Sequence, residues 1–397
     1  MKRPWIVIAC GALIVTLAMG VRQSFGLFLP QMSAGLDIGR ESFGLAIAIQ
    51  NLLFGLAQPF VGALADRHGA GRVIFFGALL YVAGLVIASS VGSALGLHLS
   101  FGIMIGIALS ATTFVVVLGA AGRVVPPERR TLAFGIVTAG GSLGQFLVVP
   151  AAQMLLGELG YRMALIALAG LVALVAALAV GMAGKPAAGP SRMDMKQPLG
   201  DALREAAANR GYWLLNAGFF VCGFQLVFIG THFPAYLNDR GLGLEVGASA
   251  LALIGLFNIF GSYLFGLSGD YLRKKYVLSG IYVARAAVML LFLALPLSSG
   301  SALVFASVMG FLWLGTVPLT SGLVGQIFGI RYLSTLYGIV FMSHQVGSFF
   351  GAWAAGYVFD RTGSYDIAWG AAILLGLVAA LLHLPIRDAP VARLQPA

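Results

Sequence analysis

Arg22, Arg285 and His344 are the residues whose type and setting point most directly to chemistry. Each stands inside a long apolar run, and the runs holding the arginines (5–29 and 277–297) contain no Asp or Glu. A guanidinium is permanently charged and offers a planar fork of donors that matches a carboxylate. Arg22 lies about five residues past the middle of its run, roughly 7–8 Å toward one end at 1.5 Å per residue, and is followed by Gln23 and Ser24. His344, followed by Gln345, lies near the middle of the run 335–358. An imidazole exchanges a proton near neutral pH, so it can carry a proton or hydrogen-bond a ligand. None of the 14 Asp and Glu residues lies deep in an apolar run. A cationic ligand therefore lacks an intramembrane counter-charge, whereas an anionic one has it. Competing readings stay open. Arg22 can snorkel to a headgroup or pair with Glu41 or Asp37. Arg285 is expected to snorkel to a polar face or pair with Asp270. His344 can be a neutral imidazole bonded to a neighbouring helix.

Neutral polar residues complete the candidate set: Gln50, Asn51 and Gln58 in one run, Thr112 and Thr113 in another, then Gln145, Gln225, Asn258 and Ser262. They form either a mildly polar lining or interhelical hydrogen bonds worth about 0.6 kcal/mol each. Neither a nucleotide-binding loop, a metal cluster nor a catalytic constellation is visible, so no cofactor and no enzymatic activity is expected. Cys10 and Cys222 both fall in apolar runs and read as small buried hydrophobes.

The elements that must hold these residues follow from composition. The 397-residue chain is 59% hydrophobic and 10% charged, with mean hydropathy +0.95. Twelve apolar runs of about twenty residues recur from 5–29 to 366–385, each long enough for a bilayer core of about 30 Å. Backbone groups in lipid must bond internally, so the runs are helices and the fold class is an all-α membrane protein of twelve transmembrane helices in two six-helix bundles. The net charge of +10 is not a nucleic-acid signal, because its placement alternates. Arg40, Arg162, Arg240 and Arg361 occupy one set of loops, Arg22 and Arg285 lie inside runs, and every other Lys and Arg falls in the opposite set, with both termini. The positive-inside rule places that set in the cytoplasm, here of a bacterial inner membrane. Residues 184–210, with Lys185-Pro186, Gly189-Pro190 and Gln197-Pro198, read as a cytoplasmic linker between bundles 1–183 and 211–397.

The halves repeat. Gly62 and Asp66, followed by Arg67 and Arg72, recur as Gly266 and Asp270, followed by Arg273, Lys274 and Lys275, at an offset of 204 residues. Pro30 maps to Pro234 and Gly26 to Gly230 at the same offset. Two copies of a membrane bundle in one chain are a common construction of an alternating-access carrier.

Twelve helices in two repeats, with Gly-x-x-x-Asp-Arg-x-Gly-x-x-Arg after the second, resemble the major facilitator superfamily across essentially the whole chain. Phe257-Asn258 through Gly261-Ser262, Gly266 and Asp270 resemble the monocarboxylate and oxalate:formate branch. Members of that branch commonly carry Arg at the position of Ser262. The drug:proton antiporter branch is less similar, since 97–120 has no Arg and Gln145, not Pro, follows Gly144. The resemblance implies a gradient-driven carrier, expected to act as a monomer, that moves a small organic anion between its halves, with proton symport as one form of coupling. It implies that Gly62, Asp66, Arg67, Arg72, Gly266, Asp270 and Arg273 gate the cytoplasmic side, and that Arg22 and the polar residues above bind substrate. Two alternatives stay open: a multidrug or siderophore-type exporter on the same scaffold, and a transporter-like ligand sensor.

Overall fold

The structure is a computed structural model that describes residues 4–38, 40–182 and 197–394. Residues 184–196 of the expected linker lie outside the described residues. All regular structure among the described residues is helical. The α-helices are α1 (Pro4–Gln23), α2 (Leu29–Leu36), α3 (Arg40–His68), α4 (Ala70–Ser90), α5 (Ala94–Leu97), α6 (Ile105–Thr112), α7 (Phe114–Val124), α8 (Arg130–Met182), α9 (Leu199–Ala208), α10 (Arg210–Asp239), α11 (Leu244–Tyr271), α12 (Lys274–Ala294), α13 (Ser299–Leu312), α14 (Thr316–Phe328), α15 (Leu333–Thr362) and α16 (Asp366–His383). A π-helical stretch, His98–Met104, joins α5 to α6.

Among the described residues, 11 helical segments are long and apolar enough to cross a membrane. The twelfth expected span corresponds to α15, a helix of 30 residues whose centre carries the polar run Ser343-His344-Gln345 and is correspondingly less apolar. Large apolar side chains stand exposed along the helices, such as Phe60 at 77% and Phe76 at 67%. In water that surface would be a liability; in lipid it is the solvent-facing side.

The chain divides into two compact units. One comprises Met1–Val125, Gly140–Gly189 and Ile330–Gly338; the other comprises Pro126–Ala139, Pro190–Gly329 and Ile339–Ala397. Thus the first turns of α8 belong to the second unit, and the first turns of α15 belong to the first. The second unit has an aromatic core in which Phe228, Phe233, Phe292 and Phe305 surround Trp369. α8 is two helices in one. Gly160, at φ 70°, turns the chain where a side chain would be strained.

Each unit also contains an interrupted helix. In the first, α6 ends at Thr112, Thr113 is extended, and α7 starts at Phe114. In the second, α13 ends at Leu312 and α14 starts at Thr316. Thr112 and Thr316 are one repeat offset apart.

Candidate functional site

In the first unit, Arg22 sits in the last turn of α1. Its Nη2 donates to Asn51 Oδ1 on α3, and its guanidinium lies 5.5 Å from the centre of the Phe54 ring. Arg22 Nε is buried without a hydrogen-bond partner. No acidic side chain pairs with Arg22 among the described residues; Asp37, one expected partner, is exposed, and the Glu41 side chain lies outside the description. Asn51 is itself oriented by donating to Ile47 O at 3.0 Å. Arg22, Asn51 and Phe54 are therefore one group. Gln23, next in sequence, points outward and is exposed.

Other expected lining residues serve the scaffold. Gln50 is buried and donates to Phe101 O at 2.8 Å, tying α3 to the π-helical stretch. Thr112 and Thr113 bond back to Ala108 O and Leu109 O at the end of α6. Gln145 is half-buried, and Gln58 is fully buried with both amide atoms unpartnered.

In the second unit the polar centre is Arg285, which is fully buried. This corrects the expectation that it snorkels or pairs with Asp270. Its Nε donates to Leu312 O at 3.2 Å, and its Nη2 donates to Leu312 O at 2.7 Å and to Trp313 O. Nη1 reaches Gln225 Oε1 at 3.3 Å and Cys222 Sγ at 3.5 Å, while the guanidinium lies over the Tyr282 ring. The two carbonyls are among those left over where α13 ends, so Arg285 caps the helix interruption from the side. Asn258 meets the same interruption: its Oδ1 accepts from Leu314 N at 2.9 Å and from the Ser262 hydroxyl at 3.1 Å. Gln225 donates onward to Ala372 O. Thus Gln225, Asn258 and Ser262 come together around the break in the helix.

His344 lies near the middle of α15 and is almost buried. Its ring stacks on Phe341 and lies 4.9 Å from Phe219. Nδ1 lies 3.1 Å from Gln345 Oε1 and 3.4 Å from Ser348 Oγ, whereas Nε2 makes no hydrogen bond. Besides these bonds along its own helix, the imidazole has Cys222 of α10 beside it as a side-chain hydrogen-bonding neighbour, so the expected contact with a neighbouring helix is present as well.

The repeated Gly-x-x-x-Asp segments hold helix starts. Asp66 pairs with Arg123 at 2.8 Å and accepts from Thr335 N and Oγ1, each at 2.8 Å. Asp270 accepts from Thr131 N at 2.8 Å and Leu132 N at 2.9 Å. Unpaired N–H groups in a helix's first turn favour a carboxylate. Gly62 faces the Ser334 backbone and Gly266 faces Gly135 so closely that a Cβ at either position would collide with main chain. Arg67 and Arg72 are exposed. Arg273 turns away from Asp270 and grips Asp388 through Nε at 2.9 Å and Nη2 at 2.7 Å. That bond holds the Asp388 carboxyl below the usual carboxylate range. Arg123, Thr131 and Thr335 are absent from the set of residues expected from the sequence. The threonines carry a usable signal, because Thr131-Leu132 and Thr335-Leu336 obey the same offset as the aspartates.

Residues 9–352 match the family model described as Major Facilitator Superfamily. Over 96% of the chain and 89% of the relative, the sequence is 28% identical to monocarboxylate transporter 13 of Rattus norvegicus. It is 27% identical to monocarboxylate transporter 11 of Homo sapiens, over 95% and 83% of the two chains. It is 24% identical to the MFS-type transporter YcxA of Bacillus subtilis (strain 168), over 92% and 91%. Among solved structures, the fold is similar to the transporter FucP in its outward conformation, with a TM-score of 0.76 at 17% identity over 96% of this chain and 99% of that one.

Proposed function

The chain belongs to the Major Facilitator Superfamily, and from that premise we propose that it moves a small, monocarboxylate-like organic anion across the membrane by alternating access. The observation that carries this reading is Arg22. Its guanidinium is anchored by a neutral amide and an aromatic ring, has no acidic partner among the described residues, and keeps one buried N–H unused. A charge so placed is most stable when a ligand supplies the opposite one. The similarity to transporters named for monocarboxylates supports the same substrate class. Ser262 bonds to Asn258 where that branch commonly has Arg, which leaves Arg22 as the anion-binding fork.

The reading extends to organisation and gating. Bundles 1–183 and 211–397, joined by 184–210, are the moving halves, with both termini in the cytoplasm of a bacterial inner membrane. Asp66 and Asp270 hold the starts of α15 and α8 in one conformation and release them in another. The primary test is a thermal-shift screen of carboxylates on purified protein, followed by counterflow in proteoliposomes. A stabilising carboxylate that also exchanges identifies a carrier. One that stabilises without exchange identifies a sensor. Stabilisation by neutral or cationic compounds alone removes the anion reading.

A further inference from the structure

A groove of about 480 Å³ opens on the first unit where α3, α4 and α6 meet. Leu64, Phe76, Leu80 and Ile107 line it, Gly77 and Ala111 give it depth, and His68 and Arg72 stand at one end. The volume is that of a small-ligand site. Leu64 and Phe76 are exposed, so the groove faces the surface that lipid covers rather than the interior of the unit. The basic end coincides with the turn between α3 and α4, at His68 and Ala70, which is a membrane–water boundary whichever compartment it faces. From Arg72 to Leu80 the wall runs along about 12 Å of helix. That is close to one leaflet's share of a hydrocarbon core about 30 Å thick. The lining contains no Asp or Glu, and the nearest acid in sequence, Asp66, is engaged by Arg123 and Thr335. Among the described residues Arg72 makes no ion pair.

We propose that this groove is a binding site for one anionic phospholipid, with its phosphate at Arg72 and His68 and an acyl chain along Leu64, Phe76, Leu80 and Ile107. The charge pattern selects this occupant. An apolar channel alone would take any acyl chain, whereas a cationic end at headgroup depth favours a lipid with net negative charge. One basic residue near a membrane surface is worth about a fivefold preference.

The test is native mass spectrometry of the purified full chain after exchange into mixed nanodiscs of phosphatidylglycerol and phosphatidylcholine of matched chains. Wild type is expected to retain one phosphatidylglycerol in preference to phosphatidylcholine. Arg72→Gln should lower that preference about fivefold while still retaining lipid of either headgroup. Ile107→Trp, which fills the channel, should reduce retention of both. Arg240→Gln, a basic residue elsewhere in the chain, should leave the preference unchanged. Inorganic phosphate in excess is expected not to displace the lipid, since the acyl contacts are missing from it. Equal retention of the two lipids by wild type, or an unchanged preference in Arg72→Gln, would overturn the proposal. So would displacement by phosphate alone. If a variant fails to fold, thermal unfolding of wild type in the two lipids replaces it. Stabilisation by phosphatidylglycerol over phosphatidylcholine then upholds the site, and equal stabilisation overturns it.

Discussion

The Asp66 carboxylate accepts from both the backbone N–H and the hydroxyl of Thr335, each at 2.8 Å, across 269 positions of sequence. Asp270 does the corresponding thing to Thr131 and Leu132. Asp66 and Asp270 are one repeat offset apart, and so are Thr131 and Thr335. The exchange is therefore reciprocal. α3 of the first sequence half ends on a carboxylate that receives the start of α15 from the second half, and α11 of the second half ends on one that receives the start of α8 from the first. The two copies differ in their cation. Asp66 has the nearly buried Arg123, whereas Asp270 has no salt-bridged partner among the described residues.

Asp66→Asn keeps the shape of the side chain and removes its charge. Arg123 is then left as an unpaired, nearly buried cation, which costs about 3 kcal/mol. Arg123→Gln should cost a similar amount by stranding Asp66. The double variant should cost clearly less than the sum, because neither charge is then stranded. Thermal unfolding in detergent measures all three, and additive losses would show that the pair does not act as a unit. In membranes, cysteine accessibility from each side should shift toward the inward-open state in Asp66→Asn. Unchanged accessibility would reduce the segment to a positive-inside anchor.

Arg285 uses its whole donor set on neutral acceptors at the end of α13 and on α10. Lys has a single nitrogen and cannot span Leu312, Trp313 and Gln225 together. Arg285→Lys should destabilise by about 2 kcal/mol, and Arg285→Met by at least as much, because the freed carbonyls stay buried. The readout is again thermal unfolding. If both variants melt like wild type, the interruption between α13 and α14 holds itself.

Arg22→Lys keeps the charge and loses the fork, so binding of the identified anion should weaken about tenfold with folding intact. Arg22→Gln should weaken it further. Equal binding of an anionic substrate by wild type and Arg22→Gln, in calorimetry, would remove Arg22 from the site.

The bond from Arg273 keeps the Asp388 carboxyl below its ordinary range, so the unfolded chain binds that proton more readily than the folded one. The contribution is complete above the ordinary carboxylate pKa of about 3.9 and is lost as pH falls through the lower folded value. The tail beyond α16 also bonds back through Gln326 to Asp388 O and through Arg393 to Glu205. Limited proteolysis of the tail should accelerate below about pH 4. In Arg273→Gln it should be fast already at about pH 7, where the carboxylate is ionised but has lost its fork. Identical cleavage of that variant and wild type at neutral pH would show that other contacts hold the tail.

Whether a feature is legible in the sequence depends on whether a residue's partner is close in pattern. The helices are legible because lipid leaves the backbone one solution. The reciprocal aspartates are half legible: the repeat marks Asp66 and Asp270, but the chain gives no direct sign that their partners lie 269 and 139 positions away. Arg285 misleads for a physical reason. Sequence shows a charge in an apolar run and suggests escape to water. It does not show that an interrupted helix nearby offers two carbonyls that replace water. The same interruption takes Asn258, Ser262 and Gln225, which a sequence reading cannot separate from substrate-facing residues of the same types.

The proposed proton coupling rests on a single imidazole. With no acid deep in the spans, proton movement has His344, the substrate itself, or neither. His344 Nδ1 is engaged along α15 with Gln345 and Ser348, and Nε2 is buried and makes no hydrogen bond, so a proton arriving with substrate has an atom to occupy. An anion bound at Arg22 together with one proton on His344 adds no net charge to the moving protein. Transport would then be electroneutral symport, driven by a pH gradient and indifferent to membrane potential. His344→Gln keeps a polar side chain of similar reach but takes up no proton. It should abolish pH-driven uptake into proteoliposomes and leave exchange of labelled for unlabelled substrate intact, because exchange needs no net proton movement. Uptake is measured with pH and potential imposed separately. Full pH-driven uptake by His344→Gln takes the histidine out of the mechanism. Uptake by wild type that follows potential and ignores pH removes the symport and leaves an exchanger or a uniporter. Loss of exchange together with uptake in His344→Gln would mean that the imidazole, packed between Phe219 and Phe341, acts on substrate binding or on the fold of the second unit rather than on the proton.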